Sequence, residues 1–415
     1  MTKRRILAYV AAVLLVLIAA AAALEWRNVT RLIFVRRLFS GANQVEHFRS
    51  MPSIFPVHVV HKASAPFQFA SGTPLVLPAS FAFAGGSEDT AAFLAGTDTT
   101  GLLILHEDKL VYEQYWLGNN AGTQWIAWSV SKSFTSALFG IAVRSGAIGS
   151  VEDAVTRYVP ELKGGAYEGT RIKDVLQMSS GASWNEDYSN PESDINRFGR
   201  TFALGGSLDA FAATLTRQYQ PGTFNRYNTM DSQVIGMILR RATGKTETEY
   251  LQEQIWSPLG MESDAYWITD DNGAEFAGGG LNATLRDFAK LGRLYLHGGN
   301  WNGTQIIPAE WVQASVTPDA PHLMPGKRAS SDAVWGYGYQ WWIPDNSGAF
   351  SAIGIFNQFV YVNPALHLVI AKTSANHRYG TANDESSDRE AEHFAFFKAI
   401  EKSLASPSTI SGGGN

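Results

Sequence analysis

The chain has no cysteine, which excludes disulfides, zinc–thiolate centres and thiol catalysis and suits it to oxidising or reducing surroundings alike. Metal ligation is poorly served too: there is no H-E-x-x-H motif, and the only closely spaced histidines, His58 and His61, have no further ligand nearby. No glycine-rich loop of the phosphate-cradling kind is evident, and the body of the chain carries no basic block. A formal net charge of -5 and a pI near 6.0 argue against nucleic acid as a main partner. With charged residues at 17%, hydrophobic ones at 45% and aromatics at 12%, the 415 residues can bury a large core, in one large domain or a few smaller ones.

Charge is also missing from Ile6 to Leu24, a run preceded by Lys3, Arg4 and Arg5. A helix of that length spans a bilayer core at ~1.5 Å per residue, and its positive flank belongs on the cytoplasmic side. The expectation is a single-pass anchor over 1–24 in a bacterial-type inner membrane, with the remainder periplasmic or extracellular. A cleavable signal peptide is the competing reading, because Ala19 to Ala23 offers the small residues that a signal peptidase accepts; the protein would then be secreted. Trp26 to Phe39 sets Arg27, Arg31, Arg36 and Arg37 among Trp, Leu, Ile and Phe, the composition of a helix lying along lipid headgroups. Little periodicity follows up to about Ala65, so 25–64 reads as a membrane-proximal connector. The Ser/Gly-rich tail 406–415 reads as disordered, which leaves 65–405 as the soluble domain.

Within that domain, Gly101 to Tyr115 shows two β-rich runs around a short polar turn, a hairpin. Helical patterns follow at Phe134–Val143 with a stop near Gly146, at Ile172–Met178, at Thr229–Thr243 with Gly244 as its stop, and at Thr284–Leu296. Strand character returns at Tyr337–Ile343, Gln358–Val362 and Leu366–Thr373, with Asn363-Pro364 as a turn. Ser387 and Glu390 offer a capping box for a last helix, in which Phe394, Phe397, Ile400 and Leu404 form an apolar stripe. The pattern predicts an α/β domain whose sheet is built from both ends of the chain, interrupted by a mostly helical insertion, with a site at the junction.

Three pieces carry chemistry. Trp128-Ser129-Val130-Ser131-Lys132-Ser133 puts a hydroxyl and an amine three residues apart at the start of an apolar helix, so that Lys132 faces the oxygen of Ser129. Burial and the positive end of the helix dipole favour the neutral amine that can take the hydroxyl proton, which points to a Ser-Lys acyl-transfer enzyme. Pro221 to Thr229 then delivers Tyr227 to the mouth of a helix, where it can relay a proton to a leaving group. Gly354, just before the apolar strand at Gln358, lets a backbone approach a ligand; an N–H there, with that of Ser129, would form an oxyanion hole.

In this order and spacing the pieces resemble the serine β-lactamase and penicillin-binding-protein superfamily, specifically the branch of class C β-lactamases, esterases and 6-aminohexanoate-dimer hydrolases. The segments Leu176–Gly181, Pro221–Thr223, Gly278–Thr284 and Trp335–Trp342 look like that branch as well. The resemblance covers about Ala65 to Leu404 and implies an antiparallel sheet flanked by helices, with an inserted helical subdomain. It implies Ser129 as acylated nucleophile, Lys132 as base or proton shuttle, Tyr227 as partner in protonating the leaving group, and the N–H groups of Ser129 and Ile355 around the oxyanion. Trp184 to Tyr188 resembles the substrate loop of the dimer hydrolases, which makes Tyr188 a further candidate.

Two departures from the pattern bear on substrate. The Y-x-N motif reads Tyr227-Asn228-Thr229, so the shorter Thr229 stands where an amide would hold a substrate carbonyl. The K-T-G or H-x-G motif reads Ala352-Ile353-Gly354, without a cation for a substrate carboxylate; Lys372-Thr373-Ser374 lies at the end of the following strand and is a decoy. The expectation is therefore a serine hydrolase that needs no metal or organic cofactor and cleaves a small carboxylic ester or linear amide through an acyl-enzyme. A penicillin-binding D,D-peptidase, a β-lactamase, or a sensor or scaffold without turnover are the alternatives.

Overall fold

In the computed structural model, which describes residues 3–38, 43–382 and 385–405, the predicted hairpin forms from Thr99–His106 and Lys109–Tyr115. Glu107 and Asp108 turn it with φ of 51° and 61°, the paired left-handed backbone that matches the twist of adjoining strands. The hairpin joins the C-terminal strands through Leu368–Ser374, which pairs antiparallel with Thr99–His106. Among the described residues the largest sheet has seven strands, antiparallel throughout and built from both ends of the domain. Its order is Gly336–Tyr337, Trp342–Ile343, Phe350–Gly354, Gln358–Asn363, Leu368–Ser374, Thr99–His106, Lys109–Tyr115.

Alternation along the strands sends side chains to two layers. Leu102, Ile104, Phe359 and Ile370 meet Phe394, Phe397 and Ile400 of the terminal helix Glu390–Ala405. Leu103, Leu105, Val360 and Val369 face the opposite way, toward Leu291 and Leu294 of the helix Leu285–Leu296 and the larger core around Ser131–Arg144. Between the two halves of the sheet lies the helical insertion, in which Thr229–Thr243 packs on the helix Ser131–Arg144 and ends at Gly244 with φ 67°. The terminal helix departs from its expected cap. Arg389 adopts φ 56° and breaks the backbone, so Ser387 belongs to a separate short turn, Glu385–Asp388, and the helix begins at Glu390.

The N-terminal region differs most from its reading. Lys3–Leu38 is one continuous helix, because no Gly or Pro interrupts the stretch between the apolar run and Leu38. Its first part exposes Leu7, Leu15, Val16 and Ile18, and it is long and apolar enough to cross a membrane. Its last turns dock on the domain: Asp271 accepts from Arg27 Nη2 (2.6 Å) and Arg31 Nη1 (2.8 Å), and Arg31 Nε donates to the Ile54 carbonyl.

The stretch read as an irregular connector holds the helix Gln44–Ile54 and the strand Val57–Val60. Val45, Phe48 and Met51 recur every three residues, a stripe too short to register against the proline at 52. Phe48 is fully buried, edge-on to Trp125 and Trp128 at 5.6 and 5.3 Å. Val57–Val60 opens a second sheet with Ala265–Ile268, Leu281–Ala283 and Trp125–Ile126, which the sequence pattern did not reveal. The tail 406–415 lies outside the described residues.

Candidate active site

The short strand Trp125–Ile126 runs straight into the turn that holds Ser129. Ala127 N–H donates to the Leu281 carbonyl at 2.7 Å, and Trp128 then reverses the chain with φ 46°. A tryptophan in the left-handed region is a strained residue, costing roughly 1–3 kcal/mol, and it is held there by packing against Phe48 and Phe356. Ser129 therefore sits in a 3-10 turn, Trp128–Val130, just ahead of the helix Ser131–Arg144. Lys132, on the first turn of that helix, brings Nζ to 2.9 Å from Ser129 Oγ.

Lys132 is only 1% exposed. Its Nζ also donates to the Gly278 carbonyl at 2.6 Å and to Thr229 Oγ1 at 3.2 Å, so three acceptors surround the amine. The carbonyl comes this close because residue 278 has no side chain: a Cβ there would stand 2.8 Å from Thr229 Cγ2. Burial lowers the Lys132 pKa to about 8, against an upward pull from the Glu186 carboxylate.

Tyr227 reaches the same point from the loop before the helix Thr229–Thr243, whose N-terminus is capped by the side chain of Asn228. Its ring lies 5.0 Å from Lys132 Nζ and stacks on Trp342 at 5.2 Å. Burial pushes the phenol pKa well above its ordinary value, the Glu186 charge raises it further, and a hydrogen bond with Ser129 offsets part of this. The tyrosine is consequently a neutral O–H, equipped to donate a proton.

Thr229 was expected to reach toward a substrate carbonyl. Its hydroxyl accepts from Lys132 and donates to Glu186 Oε1 at 2.6 Å, so its own proton is already engaged. Tyr188 is near as well, its phenol donating to Glu186 Oε1 at 2.8 Å. Glu186 thus gathers Thr229 N–H (3.1 Å), the Thr229 hydroxyl, Tyr188 and the Trp184 indole N–H. Sequence reasoning passed over this carboxylate, although an acid between two aromatics in the loop Trp184–Tyr188 was the available signal.

The strand Phe350–Gly354 packs against the turn that holds Ser129. A Cβ at Gly354 would lie 2.6 Å from the Ala127 carbonyl, so only glycine permits the approach. The following turn, Ile355-Phe356-Asn357, has φ of 62° at Phe356 and 65° at Asn357. Gln358 braces it: the amide Nε2 donates to the carbonyls of Ile355 (3.1 Å), Phe356 (2.9 Å) and Ser374 (2.8 Å), and Oε1 accepts from Trp125 Nε1 (3.0 Å). Ser129, Ile355, Thr229 and Tyr188 line one cavity of about 680 Å³. Lys372 is buried in the sheet with its amine on Ser374 Oγ, and His58 bonds Glu275 at 2.8 Å; neither lines that cavity.

Residues 90–394 match the family model described as Beta-lactamase. The chain belongs to that family. It is 31% identical over 290 residues to 6-aminohexanoate-dimer hydrolase of Paenarthrobacter ureafaciens, a match covering 68% of this chain and 74% of the relative. A provisionally assigned 6-aminohexanoate-dimer hydrolase from Bacillus anthracis superposes with a TM-score of 0.77 at 25% identity, covering 88% of this chain and 96% of that one. A D-stereospecific amidohydrolase from Streptomyces sp. shares the fold at a TM-score of 0.55 and 17% identity, over 73% and 95% of the two chains. This family member is an enzyme, a hydrolase of the serine β-lactamase fold.

Proposed function

We propose that this protein cleaves a carboxylic ester or a linear amide by a two-step acyl-enzyme route centred on Ser129. The observation that carries the reading is the 2.9 Å contact between Ser129 Oγ and an amine that burial holds at a pKa of about 8. Neutral Lys132 removes the hydroxyl proton as the oxygen attacks the carbonyl. The N–H groups of Ser129 and Ile355 stabilise the oxyanion, and Tyr227 protonates the departing alkoxide or amine. Water then repeats the sequence on the acyl-serine and releases the acid. Ala352, where the resemblance places a cation, favours substrates without a carboxylate beside the scissile bond and disfavours cell-wall peptides and β-lactams. We place the catalytic domain outside the cytoplasmic membrane, held by the helix Lys3–Leu38 as a single-pass anchor; the docking of its last turns through Asp271 supports that arrangement over a free connector.

Intact mass of the protein during turnover of p-nitrophenyl butyrate tests the route. A transient butyryl adduct on Ser129 is expected; steady turnover with no adduct at any time, under conditions where deacylation is slowed, would contradict it. A fluorescent penicillin should label poorly, and a lasting Ser129-dependent adduct without ester turnover would reassign the protein as a cell-wall peptidase or sensor.

The electrostatics make a second prediction. Because Glu186 raises the Lys132 pKa, Glu186→Gln should lower it, moving the acidic limb of the kcat/KM profile below pH 8. A limb that stays in place or moves up excludes this coupling. Gly354→Ala, in turn, should cut kcat by about 10²–10³ through a displaced oxyanion donor, while short-range folding reporters such as near-ultraviolet circular dichroism change little. Wild-type kcat in a folded Gly354→Ala protein would remove Ile355 N–H from the mechanism.

A further inference from the structure

The cavity at Ser129 is lined mostly by apolar surface, and one of its walls comes from an unexpected place. Leu32, Val35 and Arg36 of the N-terminal helix line it together with Phe198, Phe202 and Ile355. Positions 32, 35 and 36 share one helical face, so the helix presents a stripe to the cavity rather than a single side chain. Met51 and Phe55, from the segment after that helix, extend the apolar surface. Ser129, Thr229 and Tyr188 line the same cavity, so a chain held against its apolar walls can bring its carbonyl to the nucleophile.

The same helix points to the source of such a chain. Its apolar run ends at Leu24, and the first cavity-lining position, Leu32, follows eight residues later, about 12 Å along the axis. A headgroup layer is only about 5–8 Å deep on each side, so with Leu24 at the edge of the hydrocarbon Leu32 stands just above the membrane surface. Trp26, 72% exposed, sits just beyond the apolar run, where aromatic residues mark a membrane surface. Arg36, Arg200 and Glu192 also line the cavity; Arg200 is paired with Glu192 at 3.7 Å, so Arg36 is the cation suited to a polar or anionic headgroup.

Resting on the hydrolase reading above, we infer that the substrate is a bilayer amphiphile, an acyl ester or amide whose hydrocarbon chain leaves the membrane along the face Leu32–Val35–Arg36 and is cleaved at its carbonyl by Ser129. The bond formed is Ser129 Oγ to the acyl carbon, and the bond broken joins that carbon to the headgroup oxygen or nitrogen, which leaves with a proton. Water then releases the fatty acid and restores the serine.

The test uses the full chain reconstituted in phosphatidylcholine vesicles containing phosphatidylglycerol, with p-nitrophenyl acetate, butyrate, octanoate and laurate as probes. Each methylene moved into an apolar cavity favours binding by roughly three- to four-fold, so kcat/KM should rise at least about ten-fold from acetate to the best long-chain ester. Val35→Trp, which fills the cavity from the helix, should lower the laurate-to-acetate ratio of kcat/KM by about ten-fold or more; Leu32→Trp provides the same reading from the neighbouring turn. The ratio is independent of how much enzyme is correctly folded, and the ester's partition into the vesicle is common to wild type and variant. Turnover of acetate with a flat or falling dependence on chain length, or a ratio that both variants leave unchanged, overturns the inference and spares the hydrolase reading. Turnover of none of the esters overturns both.

Discussion

Replacing Ser129 with alanine is expected to reduce kcat for an activated ester by about 10⁴–10⁶. The loss is large because the hydroxyl is the only group in the proposed route that forms a bond to substrate, and the oxyanion donors alone retain little rate. The strained turn at Trp128 is held by Phe48 and Phe356, not by the serine hydroxyl, so the variant should fold. Intact mass adds a second readout: the acyl adduct must vanish with the turnover. A Ser129→Ala protein that keeps full activity or still acylates would displace Ser129 from the mechanism.

Lys132→Met ranks next, with an expected fall of about 10³–10⁴ in kcat/KM, toward the upper range for removing one positioned proton-transfer group. Methionine preserves much of the volume of the buried stem while deleting the amine, so the effect separates from a packing loss. The pH profile is the sharper check. With a pKa of about 8, Lys132 is about one-tenth neutral at pH 7 and about nine-tenths neutral at pH 9. Wild-type kcat/KM should therefore climb about ten-fold per unit at acidic pH and level off above pH 8, whereas the residual activity of Lys132→Met should lose that limb. An identical limb in the variant would assign the titration to another group.

Which parts of this site were legible in the sequence follows from how local they are. Ser129 and Lys132 are three residues apart, so spacing alone pairs them; Tyr227 was marked by the local start of the helix Thr229–Thr243, and the fold then brings its ring to Lys132. Glu186 has no such signal: it matters because the fold lays the loop Trp184–Tyr188 against Thr229, 43 positions later. The large sheet was readable from alternation at both ends of the domain. The smaller sheet was not, because Trp125–Ile126 and Leu281–Ala283 are too short to show a period and owe their form to pairing with each other. The helix Gln44–Ile54 was obscured for a related reason, a two-turn apolar stripe carrying a proline.

The two arginine contacts to Asp271 have a consequence for how the protein would meet its substrate. A catalytic domain on a flexible tether tumbles, and its active site faces the membrane only part of the time. Here a single unbroken helix passes from the apolar segment into the cavity wall and is pinned by the carboxylate at two points. A body mounted on such a stalk keeps spin about the membrane normal and lateral diffusion, and gives up most of its wobble. On the anchored arrangement proposed above, its search for substrate would become two-dimensional, with the opening held at a fixed height and attitude above the surface it samples.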